Sequence, residues 1–232
     1  MSRHAGLLVD LGHLEYQAAW EWQRRVHRAV RDGRLPDTVL LVEHPPVYTI
    51  GRGALGSRAN VLIPDAVREA MGIALYEVDR GGDVTYHGPG QQVGYPILHL
   101  DRHGDDLLVY LRDLEEVFVR VLGDFGIGGS RMPPHTGVWA GEEKVVAIGV
   151  KASGRVTMHG FALNVDPDLS HFAGIIPCGI QDKGVTSLAR LLGRPLTLSA
   201  VRPSVSARLA EVLDLDLSDT PVESLEDWAV AL

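Results

Sequence analysis

The chain predicts an α+β fold, in which a mixed, mostly antiparallel sheet carries packed helices. Two observations predict it. Helical periodicity recurs toward both ends of the chain around a strand-rich middle, and strands and helices do not alternate in the regular way that a doubly wound fold requires. Neither an internal repeat nor a linker rich in Pro, Gly and Ser interrupts the 232 residues, so one domain over 1–232 is expected.

The elements follow in order. Leu14, Ala18, Trp22, Val26 and Val30 recur at helical spacing, and Gly33 can close that helix in a left-handed cap. Strands are expected at Thr38 to Glu43 and, after the Pro45-Pro46 break, at Val47 to Ile50. Short strands follow at Leu75 to Val78, Val84 to His87 and Gln92 to Leu98; Pro96 places the last at an edge or a bulge. A second helix starts near Asp105, with Leu107, Leu111, Leu114, Phe118, Val121 and Phe125 in one apolar stripe. Strands at Lys144 to Val150 and Thr157 to Val165 are joined through Ala152-Ser153-Gly154. Helices return at Val185 to Leu192 and at Ala200 to Leu213, the latter capped by Ser199.

Composition narrows the function. Hydrophobic residues at 45% and charged residues at 22% describe an ordinary soluble chain, and no apolar run reaches the roughly 18 residues of a membrane span. A net charge of −8 argues against nucleic acid as the main partner. Arg24, Arg25, Arg28, Arg31 and Arg34 form a local basic stretch, read either as a solvated helix face or as a docking face for an acidic carrier protein. A single cysteine permits no internal disulfide, and no basic-then-apolar export signal opens the chain, so a cytoplasmic setting is expected. The ten histidines are scattered, and no metal site is indicated.

Four segments have the residues for chemistry. Cys178 lies between Pro177 and Gly179, on a turn that could present a thiol beside backbone amides. It reads either as an inert buried thiol or as a nucleophile; in the second case its pKa, about 8.5 when unperturbed, needs lowering. Lys144 starts a strand in which alternation puts it with Val146 and Ile148; it is either exposed beside Glu142-Glu143 or partly desolvated on a core face. The segment Arg80-Gly81-Gly82-Asp83-Val84-Thr85-Tyr86-His87 is dense in glycine and in donors. That suits close approach of backbone to a ligand, or simply a glycine-rich hairpin. Gly160 and Ala162 share one strand face, with His159, Phe161 and Leu163 on the other; with Ala147 and Gly149 they could floor a channel for an aliphatic chain.

Taken together, Arg80 to Gln91, Lys144 with Ala147-Ile148-Gly149, Gly160-Phe161-Ala162-Leu163-Asn164 and Pro177-Cys178-Gly179 resemble the lipoyl(octanoyl) transferase family, within the biotin and lipoate protein ligase group. The resemblance runs from Glu43 to Leu188 and implies that group's catalytic-domain fold. It implies transfer of an octanoyl or lipoyl group from acyl carrier protein to a lysine of a lipoyl domain, as the first step of endogenous protein lipoylation. The implied acceptors are lipoyl domains of 2-oxo acid dehydrogenase complexes and the glycine cleavage H protein. It implies Cys178 as the nucleophile and Lys144 as the group that lowers its pKa. Substrate-binding roles are implied for Arg80, Gly81, Gly82, Asp83, Val84, Thr85, Tyr86 and His87, for Ala147, Ile148 and Gly149, and for Gly160, Phe161 and Ala162. No cofactor is implied. Backbone amides near Cys178, with Thr85 or His87, are the expected oxyanion donors. The competing readings are an ATP-dependent lipoate ligase of the same fold, a cysteine hydrolase using His87 or His159, and a silent acyl-binding module.

Overall fold

Apolar stripes on the long helices need covering surfaces, and one twisted sheet supplies a face to each. The computed structural model describes residues 3–53, 58–179 and 183–229; the side chains of Cys178 and of residues 226–229 lie outside that description. The large sheet runs in the order β12 (Leu215–Asp219), β1 (His4–His13), β2 (Asp37–Glu43), β6 (Gln91–Ile97), β10 (Val156–Asn164), β9 (Glu143–Ser153), β8 (His135–Ala140) and β7 (Ser130–Met132). β11 (Gly184–Val185) adds to it beside the start of β9. A second, small sheet has the order β4 (Ala74–Glu77), β3 (Val47–Ile50), β5 (Val84–His87). Parallel pairing joins β1 to β12 and β2, β9 to β11, and β3 to β4. The other pairs are antiparallel, as the α+β expectation required.

α1 (Tyr16–Arg31) buries Ala19, Val26, Ala29 and Val30 against Leu40, Val42, Val93, Ile97 and Ala162 on one face of the large sheet. α6 (Val222–Ala229) sits on the same side through Leu225. The opposite face carries α3 (Leu107–Asp124), α4 (Leu188–Leu192) and α5 (Leu198–Val212), which enclose Leu114, Val117, Phe118, Val121, Val146, Phe161, Val205 and Leu209. The N-terminus of α3 is fixed by the Asp106 side chain, which accepts from Leu108 N at 2.7 Å. The short α2 (Asp65–Ala70) packs by the small sheet through Arg68, which donates to Ile73 O. Among the described residues, no helix is long and apolar enough to cross a membrane.

Four expectations need correction. β6 is a central strand, paired on both sides, despite Pro96. The proline is tolerated because the ladder to β10 stops at Phe161–Gly94, where β10 becomes irregular, and the Pro96 carbonyl is taken by the Thr157 hydroxyl at 2.8 Å. The β9–β10 connection is the two-residue Gly154-Arg155, both at positive φ, one step beyond the expected turn. Val185 belongs to β11 rather than to a helix, because α4 is started by Ser187, whose side chain accepts from Arg190 N. Finally, α5 is capped by Thr197, whose hydroxyl accepts from Ala200 N, and Ser199 lies inside the helix.

Candidate active site

Beyond the N-terminus of α1 the helix no longer covers the large sheet, and the small sheet with its Arg80–His87 segment takes its place. Between the two lies a narrow cavity lined by Tyr16, Arg80, Gly82, Thr85, His87, Tyr95, Ala147, Ile148, Gly149, His159, Gly160, Phe161 and Ala162. Its floor is a cross-strand quartet, Ala147 opposite Ala162 and Gly149 opposite Gly160. A Cβ on Gly160 would lie 2.3 Å from Gly94 O of the neighbouring strand β6, so only glycine fits there, and one on Gly149 would press at 3.1 Å on Gly81 O of the loop above it. Of the sequence-anticipated substrate residues, Arg80, Gly82, Thr85, His87, Ala147, Ile148, Gly149, Gly160, Phe161 and Ala162 line this cavity.

The remaining four stand behind the wall. Gly81 ties the segment to β9 by donating to Val150 O at 2.9 Å. Asp83 accepts from its neighbour Val84 N at 2.7 Å and from the Asn60 amide. Val84 and Tyr86 are buried with Tyr48, Phe172 and Ile175 in the core of the small sheet, and the Tyr86 hydroxyl meets His171 Nδ1 at 2.7 Å. Arg80 is itself buried, and its guanidinium donates to Thr49 O, Thr49 Oγ1 and Gly81 O, fastening the loop over the cavity.

Lys144 is buried, at 5% exposure, and its Nζ lies 4.8 Å from the centre of the Trp139 ring. A β-bulge decides which way it faces. Trp139 pairs with Lys144 and Val138 with Val146, which leaves Val145 as the extra residue. Val145 and Val146 therefore both pack on the α3 side, and Lys144 falls with Gly137 and Trp139 on the opposite, cavity face. The strict alternation that would group Lys144 with Val146 and Ile148 is reset by that one residue. Lys144 thus stands on the face of Ala147 and Gly149, about 10 Å along the strand from Ala147.

Cys178 lies in a single 3-10 turn, Pro177–Gly179, which packs against β5. On one side the turn is anchored by Ile176 N donating to Asn60 O. On the other the chain returns as β11, Val185 pairing with Lys144 and Thr186 N donating to Lys144 O at 3.0 Å. The turn with the cysteine thus packs on β5, and the segment that follows it pairs with the strand of the lysine. The thiol itself lies outside the described residues.

Compared with known proteins, residues 15–210 match the family described as Lipoyl protein ligase A/B catalytic domain. A protein named Octanoyltransferase from Geobacter metallireducens is 50% identical over 90% of this chain and 93% of its own length. Another of that name from Chloroflexus aggregans is also 50% identical, over 90% of this chain and 95% of its own. The chain belongs to this family, among its octanoyltransferases, and is an acyltransferase. In fold it superposes on a lipoate-protein ligase A crystallised with ATP at a TM-score of 0.80, with 18% identity, covering 97% of this chain and 92% of that one.

Within this family member three lining residues escape the sequence reading as cavity wall. Tyr16 stacks on His87 with ring centres 6.0 Å apart, and on Tyr76 at 5.6 Å. Tyr95 is held by His44: the His44 Nδ1–H donates to Leu14 O at 2.7 Å, so its Nε2 accepts the Tyr95 hydroxyl at 2.6 Å. Burial pushes the His44 imidazole down to about 4 and holds His87 well below its ordinary value. His159 adopts φ +60°, which turns its ring onto the Ala162 face, against Trp20, instead of the Phe161 face that alternation assigns. Of the three, His159 alone had a local signal, a histidine beside glycine, and only the fold gathers them.

Of the basic stretch, Arg24, Arg25, Arg28 and Arg31 lie on α1 and Arg34 just beyond it. Arg24 lies over the Trp20 ring at 3.9 Å, and Arg31 and Arg34 both meet Asp32. His99 and His103 serve different partners, Val30 O and Asp113.

Proposed function

We propose that this chain moves an octanoyl group from acyl carrier protein to a lysine of a lipoyl domain through a thioester on Cys178, with residues 1–232 acting as one catalytic domain. The observation that carries the reading is the cavity floor. Ala147, Gly149, Gly160 and Ala162 give the slot a floor of small residues, and β9, which supplies two of them, also has buried Lys144, with which the segment after the Cys178 turn pairs. An aliphatic chain gains about 0.8 kcal/mol per methylene buried in such a slot.

The steps balance as two acyl transfers. Lys144 takes the Cys178 proton, the thiolate attacks the donor carbonyl, and the carbon–sulfur bond to the carrier breaks. The carrier leaves with the proton from Lys144. The acceptor amine then attacks the Cys178 thioester, a carbon–nitrogen bond forms, the Cys178 thiolate is released and Lys144 collects the amine proton. Exchange of one thioester for another is nearly balanced, and conversion of a thioester to an amide runs downhill, so the reaction needs no nucleotide. His87, held neutral by burial, and Thr85 stand on the strand packed against the Cys178 turn, which supports their serving the developing oxyanion alongside its backbone amides. The acceptors are the lipoyl domains of 2-oxo acid dehydrogenase complexes and the glycine cleavage H protein. A chain whose only cysteine is used in catalysis fits a reducing, cytoplasmic setting.

The test is transfer from octanoyl carrier protein to a purified lipoyl domain, followed by the mass of the acceptor. Octanoylation at equal rate with and without ATP is expected. Transfer that requires ATP, or release of free octanoate with no modified acceptor, would refute the proposal.

A further inference from the structure

The floor of the cavity changes character along its length. Near Ala147 and Ala162 it is apolar; past Gly149 and Gly160 the wall is Tyr16, Tyr95 and His159, with His87 beside them. His159 is the most constrained of these. Its φ of +60° is a conformation that a side chain with a Cβ rarely adopts, and two contacts hold it there. Its backbone N–H donates to Gln23 Oε1 at 2.9 Å, and its Nε2 lies 2.8 Å from Asp79 Oδ1. Asp79 is kept well below the usual carboxylate range by its hydrogen bond to His159 and by Lys151, whose Nζ lies 2.6 Å from the other oxygen. The carboxylate can only accept, so Nε2 has the proton and Nδ1 is left as a lone pair. That Nδ1 is buried and has no partner among the described residues, and the same holds for His87 Nδ1.

We infer that His159 sets the acyl chain length, ending the cavity at about eight carbons with a buried, rigidly held polar ring. The inference rests on the acyl-transfer reading of the cavity. From Ala162 to His159 along β10, both of them lining residues, is three residues, about 10 Å. A saturated eight-carbon chain spans that at full extension. Methylenes beyond it meet the imidazole and the Tyr16 and Tyr95 rings, so added length gains no burial in apolar surroundings. Asp79 and Lys151 act through His159 as positioning residues, since they fix the tautomer and the ring.

Binding of octanoate and dodecanoate, measured by calorimetry, tests this without any turnover. The wild type should bind dodecanoate no tighter than octanoate. His159→Asn and His159→Gly both tolerate positive φ and shorten the wall. In either variant the ratio of dodecanoate to octanoate affinity should rise about tenfold or more, and the ratio of kcat/KM for the two acyl carriers should rise with it. A residue of merely structural importance would lower both terms and leave the ratios alone. Tighter binding of dodecanoate by the wild type, or affinity ratios unchanged in the variants, overturns the inference. Affinity ratios that shift while no acyl transfer occurs would retain the length stop and remove the transferase reading instead.

Discussion

The two faces of the large sheet solve opposite problems. On the α3 side Leu114, Val117, Phe118, Val121, Val145 and Val146 close into an apolar core, in which buried Glu115 is answered by Arg112 and Arg131. On the other face, where the small sheet replaces α1, Arg80, Thr85, His87 and His159 are all buried around the cavity, with His44 beside it, and Lys144 is buried further along β9. Burying polar groups costs free energy unless each is partnered. The cavity face is therefore the costly one, sustained by the core across the sheet from it.

Two experiments sharpen that contrast. Leu114→Ala removes a fully buried side chain from the apolar face and should lower stability by about 2–5 kcal/mol, read as a shift of the urea midpoint. Below the transition, transfer per folded molecule should be unchanged; a large loss of kcat/KM would show that the two faces are coupled. The next effect belongs to the cavity side and depends on pH. His44 titrates near 6.5 when unfolded and about 4 when folded, so between these values the unfolded chain binds more protons and stability is lost as pH falls. The loss from this group amounts to about 3 kcal/mol when complete. His87 and His159, also pushed down by burial, act in the same direction. Stability measured from pH 7 to pH 4 should therefore fall, and His44→Gln should flatten the profile. A profile unaltered by that substitution would place the acid sensitivity elsewhere.

Much of the molecule was legible in its sequence because periodicity follows burial on one side. The α3 stripe and the strand at Val84 to His87 read directly from spacing, and the glycine and alanine positions announced the cavity floor. What escaped reading lay where one backbone irregularity redirects every side chain near it. The bulge at Val145 turns Lys144 to the cavity face, and positive φ at His159 turns its ring the same way. Neither follows from residue type, since valine and histidine are both ordinary strand residues. Pro96 misled for a related reason: its missing N–H matters only if the neighbouring ladder continues, and here it stops. Tyr16 and Tyr95 become cavity wall only because β3–β5 folds over them, a long-range event with no local signature.

The central claim is that the acyl group rests on sulfur before it reaches nitrogen. Incubation with octanoyl carrier protein in the absence of acceptor, followed by intact mass and peptide mapping, tests it most directly. The account predicts one octanoyl adduct on Cys178 that disappears when a lipoyl domain is added, and no adduct in Cys178→Ser. Normal transfer by that variant, or an adduct that forms on another residue and is passed to the acceptor, would contradict it.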